Sequence, residues 1–341
     1  MPDRLPDSRR IYPIFLENGG CDERCSYCAQ QRSARGTGID PAAVARRLEA
    51  MLPQQGGGEI AFYGGSFTRL PVSLQEALLE FATAQVQAGR ADAIRISTRP
   101  DALDSAALKR LAAAAVCTVE LGCQSFSPQV LAACNRNYAP SCVAESVAAL
   151  RDQGLRVGLQ LMPGLPGGDA CEAFDSLAQA LALHPDFLRI YPALVLSGTP
   201  LAAAWQRGDY RPWSLSRTIR DGAQLLARAH ADRVPVIRFG LQMTPELEAN
   251  LLDGPYHPAL GQLVRARLWY EALKGLACGA ADRVGVHRAD LSDARGYRRR
   301  NLRSLHRLGR GEIVVAEQVP RGYYGWRNKL YQVPGLFPAG E

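Results

Sequence analysis

At 341 residues and 47% apolar composition, the chain has room for one large domain or a barrel plus a small extension, with ample material for a core. The formal net charge of +7 is carried almost wholly by arginine, because lysine occurs only at Lys109, Lys274 and Lys329; arginine suits phosphate recognition, and a GC-rich genome, which would also explain the many alanines, gives the same bias. The absence of any run of about eighteen apolar residues argues against a membrane span, and the charged, Pro-containing stretch Met1 to Arg10 lacks the apolar core of a signal peptide.

Strand-like and helix-like segments alternate along the chain. The first apolar run, Ile11–Leu16, reads as a strand and leads into a Gly-flanked loop at residues 19–30. Further strand candidates are Glu59–Tyr63, Ala93–Ser97, Thr118–Gly122, Arg156–Leu161 and Phe187–Leu196. Helical periodicity marks Pro41–Met51, Leu74–Ala88, Ser105–Ala115, Pro140–Gln153 and Ala170–Leu183, with stops at Gly89 and Gly154. Six β–α units in a row imply a parallel sheet with helices outside. Right-handed crossovers curl such a sheet into a full or partial barrel, here a partial (β/α)6 TIM-like barrel over residues 1–230. Chemistry in such barrels sits at the C-terminal ends of the strands, which is where the loop after the first strand lies. Residues 231–341 read differently, as an α+β extension: a strand within Val234–Met243, a helix over Pro258–Leu276, an arginine-rich Asp293–Gly311 and a short strand over Glu312–Val319.

The loop holds Cys21, Cys25 and Cys28, spaced C-x3-C-x2-C. Thiolates are soft ligands that suit iron–sulfur clusters or zinc. A structural zinc site wants a fourth Cys or His close by, yet the next cysteine is Cys117 and the first histidine is His184. Three ligands with no local fourth suit a four-iron cluster with one iron open to a further ligand. Nine cysteines, an odd number without the pattern of a small secreted scaffold, point to reduced thiols and a cytoplasmic setting. Cys117, Cys123, Cys134, Cys142, Cys171 and Cys278 form no tight group and read as small hydrophobes. The sequence shows no Ser/His/Asp arrangement and no G-x4-G-K phosphate loop.

The cysteine spacing, with Tyr27 before the third cysteine, resembles the signature of the radical S-adenosylmethionine (SAM) enzymes. Tyr63-Gly64-Gly65-Ser66-Phe67, Ser97–Asp101, Glu120–Ser125, Asn135-Arg136, Gln160–Gly167 and Tyr191–Leu201 follow in order. Together they resemble the radical domain of the elongator catalytic subunit, without its acetyltransferase domain, and more distantly the oxygen-independent coproporphyrinogen III oxidases. The resemblance implies a 4Fe–4S cluster on Cys21, Cys25 and Cys28. It also implies SAM placed by Tyr27, Gly64, Gly65, Gln124 and Arg136, with Ser66 standing where glutamate is often found. Thr98 and Gln160 occupy positions where the porphyrinogen oxidases carry acids. The elongator relatives act on tRNA wobble uridine, so the resemblance implies an RNA substrate, served by a reducing donor such as ferredoxin or flavodoxin; a small-molecule radical enzyme and a non-catalytic cluster protein are the alternatives.

Arg295 to Arg310 contains seven arginines and no acid. If helical, Arg299, Arg303 and Arg307 share one face and Leu302 and Leu305 another. Tyr323, Tyr324, Trp326 and Arg327 follow, a mixture that either holds single-stranded nucleic acid by stacking and phosphate pairing or packs a solvated helix onto its domain.

Overall fold

The computed structural model describes residues 10–16, 19–21, 24–29, 38–276, 282–309, 311–334 and 336. The chain divides into two compact units, Pro6–Arg189 with Val195–Arg211, and Ile190–Leu194 with Pro212–Glu341. Cys278 and Arg310 lie outside the described residues.

The first unit alternates β1 (Ile11–Phe15), α1 (Pro41–Met51), β2 (Glu59–Tyr63), α2 (Val72–Gln87), β3 (Ala93–Thr98), α3 (Ser105–Ala113) and β4 (Val116–Gln124). It continues with α4 (Pro128–Ala133), α5 (Ser141–Asp152), β5 (Arg156–Leu161), α6 (Ala170–Ala182), β6 (Phe187–Ile190), β7 (Val195–Leu196) and α7 (Pro200–Arg207). Strands β1 to β6 stand side by side in chain order, and each pair from β1 to β5 is parallel. This is the expected curled α/β half-barrel. Helix starts follow capping chemistry: Asp40, Asp104, Ser127, Asp169 and Thr199 each accept a backbone N–H of the first turn. Ile60, Ile94, Ile96, Val119, Leu121 and Val157 are fully buried strand residues.

The strand expected over Phe187–Leu196 ends at Ile190, because Pro192 lacks the N–H that a ladder needs; only Val195 and Leu196 resume extended pairing.

The second unit comprises α8 (Leu215–Ala231), β8 (Val236–Phe239), α9 (Pro245–Ala249), β9 (Leu251–Asp253), α10 (Leu260–Lys274) and β10 (Arg283–Val286). After these come α11 (Leu291–Arg295), α12 (Arg300–Arg307), β11 (Glu312–Val315), β12 (Tyr323–Trp326) and β13 (Lys329–Gln332). A four-stranded sheet runs β11-β10-β12-β13. Its core gathers Val264, Leu273, Val286, Leu305 and Ile313 with the buried Trp269. The arginine-rich stretch is not one helix. Gly296, Arg298 and Arg299 have φ of 76°, 50° and 58°, so the chain turns between α11 and α12. Arg299 therefore precedes α12, and only Arg303 and Arg307 share its face. Leu305 packs inward, and Tyr324 stacks on Tyr331 with centroids 5.2 Å apart, so part of the aromatic set closes the local core.

Candidate active site

The cysteine loop leaves β1 and is held against the turn after β2. Gly19 N–H donates to the Leu16 carbonyl (3.0 Å) and Ser66 N–H donates to the Gly19 carbonyl (2.9 Å). The approach is so close that a Cβ on Gly65 would stand 2.1 Å from the Gly19 oxygen, and one on Gly20 2.2 Å from the Ser66 oxygen. Gly20 also has φ of 75°, a conformation costly for other residues. These contacts explain the glycines on both sides of the interface.

Further along the loop, Ser26 N–H donates to the Cys134 carbonyl (3.2 Å) and its own carbonyl accepts Leu201 N–H (2.8 Å). Tyr27 packs on a small cluster formed by Val195, Leu201, Ala202 and Tyr210. Arg136 is buried and reaches the same loop. Its Nη1 lies 3.3 Å from the Tyr27 hydroxyl and 3.5 Å from Cys25 Sγ. Its other face donates to the Gly122 carbonyl and to the Tyr138 hydroxyl (3.2 Å). Burial pushes the Tyr27 phenol well above its usual range, against the pull of Arg136. Burial and then the neighbouring Cys25 push the Cys21 thiol up, while Ser66 and Arg99 act the other way. Cys21 and Cys25 are thus near neighbours, each partly accessible, and Cys28 N–H closes a turn on the Cys25 carbonyl (3.1 Å).

The ends of β4 and β5 add a pair of amides. Gln124 adopts φ of 71° at a register shift between the two strands, and its Oε1 accepts from Gln160 Nε2 (2.9 Å). A non-glycine residue in that conformation at a bulge marks stored strain of the kind found at functional sites. Thr98 is buried, and its hydroxyl pairs with Thr68 (2.6 Å), tying β3 to the turn after β2. Beside it Arg99 grips Asp101 through two bonds of 2.8 and 2.7 Å, and Arg69 adds a third at 2.9 Å. Burial opposes ionisation of Asp101, but the two guanidiniums outweigh it and hold the carboxyl below its ordinary value.

Below the strand ends lies a charged layer that the strand pattern alone does not reveal. Arg95 bridges Glu59 (Nε to Oε2, 2.6 Å) and Glu120 (2.8 Å), with the residues of this bridge almost wholly buried. Arg189 pairs with Glu120 (2.8 Å) and donates to the Tyr63 hydroxyl (2.9 Å), which itself donates to Glu120 (2.9 Å). The sequence signal for it is charge at single positions of otherwise apolar strands, as in AIRIST, VCTVELGCQ and FLRI.

The site residues singled out by sequence thus lie at or beside the C-terminal ends of β1 to β5. The Radical SAM superfamily profile matches residues 18–178, and the Radical_SAM C-terminal domain profile matches residues 185–270. The chain belongs to the radical SAM superfamily. The tRNA uridine(34) acetyltransferase of Methanocaldococcus infernus is 30% identical over 210 residues, 60% of this chain and 37% of that protein. Its counterpart in Methanocaldococcus jannaschii is 34% identical over 195 residues, 56% of this chain and 35% of that protein. The chain thus spans about a third of the length of these curated relatives. The solved structure of the archaeal Methanocaldococcus infernus Elp3 with an N-terminal deletion has the same fold, with a TM-score of 0.61 at 22% identity over 77% of this chain and 63% of that one.

Radical SAM enzymes use a 4Fe–4S cluster and SAM, and the residues present fit both. Three cysteines outside any disulfide lie on one short, glycine-pinned loop, beside a turn of adjacent glycines, a buried guanidinium and two amides. Among the described residues no three Cys, His, Asp or Glu side chains are already gathered as a metal cage. Cys123 and Cys134, by contrast, are fully buried, and burial pushes their thiols up to about 12 and about 11. They behave as core residues, as expected of scattered cysteines. No helix among the described residues is long and apolar enough to cross a membrane.

Proposed function

We propose that the chain is a radical SAM enzyme of RNA modification with tRNA as its substrate. The observation that carries this reading is the basic face around α12. Arg298, Arg299, Arg300, Arg303 and Arg307 are all exposed, and none forms an ion pair among the described residues; nearby pairs use Arg265, Arg288 and Arg321 instead. Uncompensated arginines held on folded backbone suit a phosphate chain. The named activity of the tRNA uridine(34) acetyltransferases supports the same substrate class.

In this reading Cys21, Cys25 and Cys28 hold the cluster. Tyr27, Gly64, Gly65, Ser66, Thr98, Gln124, Arg136 and Gln160 frame the place for SAM. When bound, these cofactors supply one-electron cleavage of the sulfonium and with it a 5′-deoxyadenosyl radical. Arg136 places a fixed positive charge 3.5 Å from Cys25 Sγ. The Gln124–Gln160 pair offers amide groups suited to ribose hydroxyls. A small reducing protein such as ferredoxin or flavodoxin would deliver the electron.

The test is 5′-deoxyadenosine release by the reconstituted, reduced protein under anaerobiosis, with and without bulk tRNA. The expected result is cleavage raised well above background by tRNA. Cleavage that ignores tRNA would refute the RNA reading and direct the search to small metabolites.

A further inference from the structure

Phe15 lies on the less buried face of β1, with Ile11 and Pro13. Its neighbours Ile14 and Leu16 are buried, yet Phe15 is 47% exposed at the C-terminal end of β1. Its ring thus offers an open aromatic face beside the candidate site, the kind of surface on which other rings stack. Phe15 pairs in register with Tyr63, the last residue of β2. Their rings lie 6.1 Å apart at 41°. Tyr63 is immobilised from its far side: its hydroxyl is bonded to Glu120 and Arg189 (2.9 Å each), and the Arg189 guanidinium sits 5.2 Å over its ring. Glu120 is fixed in turn by Arg95 (2.8 Å). Tyr63 immediately precedes Gly64 and Gly65, the turn that frames the cofactor position.

The result is an aromatic pair in which Tyr63 is held rigidly from behind and Phe15 keeps a face open. Such a wall suits a flat ring, because a π-face stacks on the open aromatic. Enzymes that act on a base draw it out of its stack and hold it between aromatic or apolar side chains. We propose that Phe15 and Tyr63 form the stacking platform that receives the unstacked base of the RNA substrate; this rests on the RNA reading above.

The test compares wild type, Phe15→Ala and Phe15→Trp in the same release assay with bulk tRNA. Phe15→Ala is expected to lower the ratio of tRNA-stimulated to tRNA-independent release about ten-fold, the scale of one lost base–aromatic stack. Phe15→Trp is expected to restore most of it. A second readout uses wild-type protein and tRNA carrying 4-thiouridine: irradiation is expected to label the peptide containing Phe15 or Tyr63. An unchanged ratio in Phe15→Ala, an equal fall of both rates, or a label confined to other peptides would overturn the platform while leaving the RNA reading standing. A wild type that tRNA does not stimulate would overturn both.

Discussion

Replacing Gly65 by alanine tests whether the close contact between the cysteine loop and the turn after β2 organises the site. Gly65 does not use a left-handed backbone, so alanine is conformationally permitted there and only the new methyl group matters. That methyl would stand 2.1 Å from the Gly19 oxygen and about 3 Å from the Gly19 carbonyl carbon, well inside van der Waals contact. Both sides are backbone, so the loop and the turn must separate by roughly an ångström. The separation breaks the Ser66 N–H to Gly19 carbonyl bond of 2.9 Å, worth about 1 kcal/mol net. Overpacking adds about 1–3 kcal/mol, for a local cost of about 2–4 kcal/mol. Because the loop can open locally, the effect concentrates in cluster retention. Iron and sulfide per chain after anaerobic reconstitution are expected to fall below about a tenth of wild type, the scale of such a cost. Gly275→Ala is the control, since Gly275 has φ of −83° and a methyl there meets nothing within 4 Å, and it is expected to keep its iron. Full iron loading in Gly65→Ala would refute the reasoning.

Three further outcomes are expected. Arg95→Met removes the guanidinium between Glu59 and Glu120, each almost wholly buried. Breaking a buried pair by deleting one partner costs about 3–5 kcal/mol, and adding Glu59→Gln should recover part of that in chemical denaturation. Arg303→Glu with Arg307→Glu should weaken tRNA binding and reduce the slope of log affinity against log salt by about 2, read by filter binding. The Cys123 thiol is raised from 9.0 to about 12 in the fold. The unfolded chain therefore ionises first, so this contribution to stability is whole below pH 9 and is lost as pH rises toward about 12. Denaturation midpoints measured from pH 8 to pH 11 should fall, and Cys123→Ala should flatten the decline.

The half-barrel is legible in sequence because its strands are short apolar runs separated by capped helices, and Glu59–Tyr63 and Arg156–Leu161 are bounded as the pattern implies. Helices α4 and α7 are harder to see at six and eight residues, although Ser127-Pro128 and Thr199-Pro200 each carry a cap followed by proline. The cysteine loop and Gln124 are legible because their chemistry is local or motif-borne. Tyr138, which supports Arg136, and the Glu59–Arg95–Glu120–Arg189 layer join residues far apart in the chain, so only the topology reveals them. The kink at Arg298 and Arg299 defeats periodicity outright, since arginine gives no warning of a left-handed backbone.

Tyr63 has a chemical consequence of its own. A phenolic O–H is among the weakest bonds to hydrogen that a protein can offer, and a carbon radical takes such a hydrogen readily. Here that hydrogen is committed to the Glu120 carboxylate at 2.9 Å, and the oxygen is covered by Arg189. The salt-bridged layer thus turns the most oxidisable group on this wall away from its open side. It works as insulation, favouring quenching of the radical by the substrate over quenching by the enzyme that makes it.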